Sequence, residues 1–142
     1  MAHYKTEGIP LRRHNLGEAD RILTILTPDL GKIRVVAKGV RRGKSKLAGH
    51  LEPFTITKLH IVEGRNLDIV TSAQGEYYYR LASHELGAIA LAHLLLEVCD
   101  KVLAEREPNQ EAYESLREAL RGIEAGERMA LARHYFFVKL PD

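Results

Sequence analysis

The amino-acid sequence predicts an α+β protein in which a small closed β-barrel of five strands precedes a small all-helical domain. Three features of the chain point there. About the first seventy residues break into short β-rich runs separated by Gly, Pro and Asp turn signals. The fourth run changes the face on which its apolar residues lie, as a bent barrel strand does. Beyond Gly75 the apolar spacing changes from that of a strand to that of a helix. The 142 residues, 45% hydrophobic and 28% charged, suffice for one ordinary domain or two small ones and have the balance of a soluble globular chain.

The first run, Ile9 to Arg13, leads through the turn-like His14–Glu18 into Asp20–Thr27. Pro28-Asp29-Leu30-Gly31 is a strong turn signal, because Pro presets φ and Gly accepts a positive one, so a hairpin is expected there. The next run, Lys32–Lys38, alternates. Ile33, Val35 and Ala37 share one face, and Lys32, Arg34 and Lys38 share the other with Val36, which places three cations on one exposed sheet face. Gly39 to Gly49 is a loop rich in Gly, Lys and Arg. Phe54–Val62 is the run whose parity slips, with Phe54 and Ile56 on one face and Leu59 and Ile61 on the other, and a bulge or bend around Thr57 would explain it. Glu63-Gly64-Arg65-Asn66 closes that run, and Leu67–Thr71 is the fifth strand. Leu86–Leu103 is apolar nearly all round, which predicts a buried central helix. Pro108-Asn109 opens a second helix with Tyr113, Leu116 and Leu120 at helical spacing, Gly122 or Gly126 ends it, and Glu127–Val138 is expected to make a third. With no low-complexity linker, the domains are expected to pack directly, near residues 74–84.

Charge divides along the chain. Residues 1–80 hold 14 Lys/Arg against 8 Asp/Glu, and residues 81–142 hold 7 against 11. The basic half is suited to a polyanion, and the acidic half to some other contact. No apolar run approaches the ~20 residues of a membrane span. The N-terminal residues lack the apolar stretch of a secretory signal, and the lone Cys99 can form neither an intramolecular disulfide nor a cysteine-rich zinc site, so a cytoplasmic setting is expected.

Gly39-Val40-Arg41-Arg42-Gly43-Lys44-Ser45 superficially resembles a nucleotide-binding P-loop, but three residues separate its glycines where that loop needs four. The segment also leads into Lys46-Leu47-Ala48-Gly49-His50, not into an apolar helix whose N-terminus could face phosphates. Read as a cationic loop, Arg41, Arg42, Lys44 and Lys46 concentrate positive potential on a backbone that glycines allow close to a ligand. The seven histidines are scattered without metal-ligand spacing, and His93 reads as a core residue of the long helix. Glu111, Glu114 and Glu118 form a solvated helix face with Arg117 and Arg121. No nucleophile with a base is evident, so no catalysis, metal or cofactor is expected. Tyr77-Tyr78-Tyr79 reads as an aromatic junction between the domains, with base stacking as the rival role.

Tyr4-Lys5-Thr6-Glu7-Gly8-Ile9, Leu16-Gly17-Glu18-Ala19-Asp20-Arg21-Ile22, Leu26-Thr27-Pro28 with Gly31-Lys32, Ala37-Lys38-Gly39-Val40-Arg41-Arg42, and Ser45 through Phe54 resemble, in order, the N-terminal signature of the RecO family of bacterial DNA repair proteins. The resemblance implies an OB-fold domain over residues 1–76 and a helical domain over 77–142. It also implies binding of single- and double-stranded DNA, strand annealing, and loading of the recombinase RecA together with RecR and single-strand-binding protein, by a mediator rather than an enzyme, in the cytoplasm and associated with the nucleoid. Arg21, Lys32, Lys38, Arg41, Arg42, Lys44 and Lys46 lie in matched segments and inherit the DNA-contact role; Arg34 joins them by strand geometry. Many relatives continue past the segment matching Glu127–Val138 into a four-cysteine module, often zinc-bound, whose cysteines this chain lacks. An RNA- or ribosome-associated OB-domain would share the charge pattern.

Overall fold

The computed structural model describes residues 2–81 and 86–127. Five strands close into a barrel: β1 (His3–Leu16), β2 (Asp20–Thr27), β3 (Gly31–Ala37), β4 (Thr55–Val62) and β5 (Asp68–Tyr78). Their order around the barrel is β1-β2-β3-β5-β4, antiparallel except for a short parallel contact in which Val35 and Val36 pair with Asp68 and Ile69. This is the five-stranded OB arrangement. Two helices follow, α1 (Leu86–Val102) and α2 (Gln110–Glu124). The expected third helix, Glu127–Val138, lies outside the described residues apart from Glu127.

The hairpin expected at Pro28–Gly31 is present, with Thr27 paired to Gly31 across the turn. The Thr27 hydroxyl fixes it by accepting from Leu30 N–H at 3.0 Å and donating to the Gly31 carbonyl oxygen at 2.8 Å. Ile33, Val35 and Ala37 point inward as alternation requires, and they join Leu23, Ile25, Leu59, Ile61 and Val70 in the barrel core. Val40 and Leu51, at the two ends of the β3–β4 connection, pack into the same core and hold that loop against the barrel.

The parity slip in β4 has a different cause from the one its sequence implies. Thr55, Thr57, Leu59 and Ile61 keep one parity and are buried, whereas Ile56 faces outward into a second core shared with the helices. The bulges lie on the partner strand: Ile56 pairs with Tyr77 and Thr57 with Gly75, skipping Glu76, and a second skip falls at Thr71. β5 therefore continues well beyond the expected Thr71 and carries Tyr77 and Tyr78.

The second core is the domain junction. Ile9, Leu11, Leu26 and Ile56 from the outside of the barrel meet Ala92, Leu95, Leu96 and Cys99 of α1 and Tyr113, Leu116, Leu120 and Ile123 of α2. Asn109 caps α2 by accepting from Ala112 N–H at 2.9 Å, as Pro108-Asn109 predicts. α1 is not buried all round: Leu94 and Val102 are each 47% exposed. His93 is also exposed, not in the core, with its ring edge-on to Phe54 at 4.8 Å.

The loop between the helices locks onto the barrel. Gly31, at φ +71°, leaves no room for a side chain, since a Cβ there would lie 2.3 Å from the Glu107 carbonyl oxygen. Arg106, itself at φ 59°, donates its backbone N–H to the Lys32 carbonyl oxygen at 2.8 Å and its guanidinium to Asp68 at 2.8 Å. The Tyr4 hydroxyl donates to the same carboxylate at 2.5 Å. Burial opposes ionisation of Asp68, but hydrogen bonds from Tyr4, Arg106 and Gly64 N–H outweigh it and hold the carboxyl below the usual range. Across the junction, the Tyr113 hydroxyl donates to Glu7 at 2.6 Å, and burial, reinforced by that carboxylate, pushes the phenol far up.

Candidate nucleic-acid interface

The eight cations singled out in the sequence divide into three groups. Lys32 and Arg34 each lie near an acid of the helical half, Lys32 in a nearly buried contact and Arg34 in an exposed one. Lys32 does not stand on an exposed face: its side chain is 11% exposed, and its ammonium donates to the Asp100 carbonyl oxygen at 2.5 Å, with the Asp100 carboxylate at 3.9 Å. Arg34 lies 4.0 Å from Glu105. β3 alternates as its sequence predicts, but its outer face is where the C-terminal end of α1 and the residues after it arrive: Asp100 of α1 engages Lys32, and Glu105, beyond the helix, makes a looser pair with Arg34 at the surface.

Arg21 and Arg41 form the second group, engaged by neutral oxygens. Arg21 donates to the Asn15 side-chain oxygen at 3.4 Å. Arg41 clips the β1–β2 turn to the β3–β4 loop: its backbone N–H donates to the Ala19 carbonyl oxygen at 2.9 Å, and its guanidinium to the carbonyl oxygens of Asp20, Leu16 and Gly17. Asp20 completes the clip by accepting from Gly39 N–H at 2.7 Å. Carbonyls orient a guanidinium without cancelling its charge, so Arg41 shapes the loop and still adds to its potential.

Lys38, Arg42, Lys44 and Lys46 are the third group. All four are exposed, and among the described residues none forms an ion pair. They follow one another along a single connection whose ends are anchored in the barrel core by Val40 and Leu51. The backbone of this loop bonds to itself, from Arg42 N–H to Gly39 and from Ser45 N–H to Arg42. The result is a shaped loop with unneutralised charge, which can accept several phosphates without first breaking an internal pair.

Sequence reasoning passed over the basic run Arg12-Arg13-His14. It lies on β1, where Arg13 pairs with Glu52 at 2.8 Å and Arg12 lies 3.5 Å from Asp100. Arg12, His14, Thr24, Lys32 and Arg34 line an open groove of about 330 Å³ together with Asp100, Lys101 and Glu105 of the helical half. The run itself was the available signal: Arg12 and Arg13 end the first expected strand and His14 opens the expected turn, whereas β1 continues through all three to Leu16. Among the described residues no three His, Cys, Asp or Glu side chains gather as a metal site, and no helix is long and apolar enough to cross a membrane.

The family model described as Recombination protein O N terminal matches residues 1–79, and the one described as Recombination protein O C terminal matches residues 83–141. The chain belongs to the RecO family. A protein named DNA repair protein RecO from Bifidobacterium adolescentis is 46% identical over 87% of the chain and 51% of its own length. Like-named proteins from a Roseiflexus species and from Trichodesmium erythraeum are 41% and 44% identical, over 98% and 85% of the chain and 49% and 42% of their own lengths. The chain thus spans about half the length of the curated RecO relatives it matches. The RecO signature segments read in the sequence form β1, β2, β3 and the basic loop.

Proposed function

We propose that this chain acts in DNA repair and recombination by binding single- and double-stranded DNA through phosphate contacts at the basic loop, and that it promotes annealing of complementary strands. Lys38, Arg42, Lys44 and Lys46 neutralise phosphates on two strands, which lowers their mutual repulsion and leaves base edges free to pair. No bond is made or broken, so the protein is a mediator and not an enzyme. Loading of RecA, with RecR and single-strand-binding protein as partners, belongs to the same reading. The acidic helical half is the part suited to contacts other than DNA.

The observation that carries the reading is that Lys38, Arg42, Lys44 and Lys46 stand exposed along one loop and, among the described residues, form no ion pair, whereas Lys32 is tucked against Asp100. Membership of a family whose named relatives are DNA repair proteins supports it. The test is annealing of complementary labelled oligonucleotides by this chain across a salt series, with RNA of equal length as competitor. The expected result is acceleration at low salt that fades as salt rises, with DNA preferred. No acceleration at any salt would overturn the annealing role, and preferential capture by RNA would move the protein to RNA-associated functions.

A further inference from the structure

We infer that Tyr78 is a stacking platform for one unpaired nucleobase at the edge of the basic loop. This platform adds a base contact to the phosphate-binding reading above, on which it rests. Two of the three consecutive tyrosines serve the domain junction. Tyr79 donates its hydroxyl to the Arg117 carbonyl oxygen at 3.3 Å, and Tyr77 meets it edge to face at 4.9 Å while donating to Glu124 of α2. Alternation along β5 turns Tyr78 away from them. Its hydroxyl donates to the Gly49 carbonyl oxygen at 3.2 Å and lies 3.4 Å from His50 Nδ1, which places the ring against the segment that continues from Lys46.

Gly75 makes this placement possible. A Cβ on Gly75 would lie 2.2 Å from the Tyr78 hydroxyl oxygen and 2.6 Å from the ring carbon bearing it, so the ring occupies the space a side chain would need. The Gly75 N–H donates in turn to His50 Nδ1 at 3.0 Å. Tyr78 is therefore backed by bare backbone and tethered at its hydroxyl, yet 46% exposed. An exposed ring held against Gly49 and His50, on the same connection that carries the four loop cations, fits the way single-strand-binding surfaces hold nucleic acid: cations follow the phosphates while the ring accepts any base. One platform anchors one base, and the neighbouring bases stay free to pair.

The test compares binding of a thymidylate dodecamer with an abasic dodecamer of equal charge, for the wild-type chain, Tyr78→Ala and Tyr78→Phe. The wild type should prefer the base-bearing strand by about 5- to 150-fold, the range for one stacked base, and Tyr78→Phe, which keeps the ring but loses the hydroxyl tether, should keep part of that preference. Tyr78→Ala should lose that preference and keep its affinity for the abasic strand. The chain has no tryptophan, so Tyr78→Trp adds a single reporter, whose emission thymidylate should quench and the abasic strand should not. A preference that survives Tyr78→Ala, or equal affinity of the wild type for both strands, would overturn the platform and leave phosphate binding standing. A fall in both affinities with the ratio unchanged would make Tyr78 a structural residue and also overturn it. Failure of the wild type to bind either strand would remove the phosphate-binding reading itself.

Discussion

Replacing Lys32 with Met separates a DNA-contact role from a structural one. The ammonium sits between the Asp100 carbonyl oxygen and the Asp100 carboxylate, and the two side chains are 11% and 12% exposed. That carbonyl belongs to the last turn of α1, where backbone oxygens lack helical partners and a cation is favoured. Breaking a well-buried ion pair from one side costs about 3–5 kcal/mol. Here Arg12 remains 3.5 Å from Asp100 and is itself more than half exposed, so part of the carboxylate's compensation survives. A loss of about 2–3 kcal/mol follows, with a melting temperature lower by roughly 5–12 °C for a chain of this size. The assays are thermal unfolding of the variant and its single-stranded DNA affinity across a salt series below the new melting point. The expected result is a destabilised protein whose salt slope matches the wild type. A slope reduced by about 0.7 with no loss of stability would refute the assignment of Lys32 to the junction and restore it to the DNA face.

Gly31→Ala should destabilise the protein by about 2–5 kcal/mol in denaturant unfolding, since it combines left-handed backbone with a clash on Glu107. Gly17→Ala, also at positive φ but with nothing within 4 Å, should cost only the backbone part, about 1–2 kcal/mol. The depressed Asp68 carboxyl contributes stability above its ordinary value of 3.8 and loses it as pH falls through the lower folded value. Asp68→Asn should therefore cost about 1 kcal/mol at neutral pH, a modest figure because Arg106 is half exposed, and the wild type's advantage should shrink in acid unfolding below about pH 4. Burial pushes the Cys99 thiol up to about 12, so a thiol reagent at pH 8 should modify it slowly in the native protein and rapidly once unfolded; fast native labelling would contradict the packing of α1 against the barrel.

What could be read from the sequence was what local physics decides. The alternation in β3 identified its buried residues, Pro28–Gly31 announced its turn, and Asn109 announced the start of α2, because each depends on neighbours a few residues away. The signature segments pointed to the right fold and family, and they picked out the loop whose exposed cations, among the described residues, form no ion pair. What could not be read was what arrives from a distance. Nothing near Lys32 announces that Asp100 will be laid over it, or near Arg34 that Glu105 will come within 4.0 Å. His93 looked internal because its helix is apolar, yet the helix has an open face. The slip in β4 looked like a bulge, whereas the strand has a core on each side, and the bulges fall on β5. Tyr78 was grouped with its neighbours, although the period of a strand separates it from both.

The role of the exposed charge on the β3–β4 connection is tested most directly by the salt dependence of single-stranded DNA binding. Each phosphate contact contributes about 0.7 to the slope of log affinity against log salt, so replacing Lys38, Arg42, Lys44 and Lys46 by Ala should lower that slope by about 2.8 for every sequence tried. A quadruple variant that remains folded and keeps the wild-type slope would contradict the account.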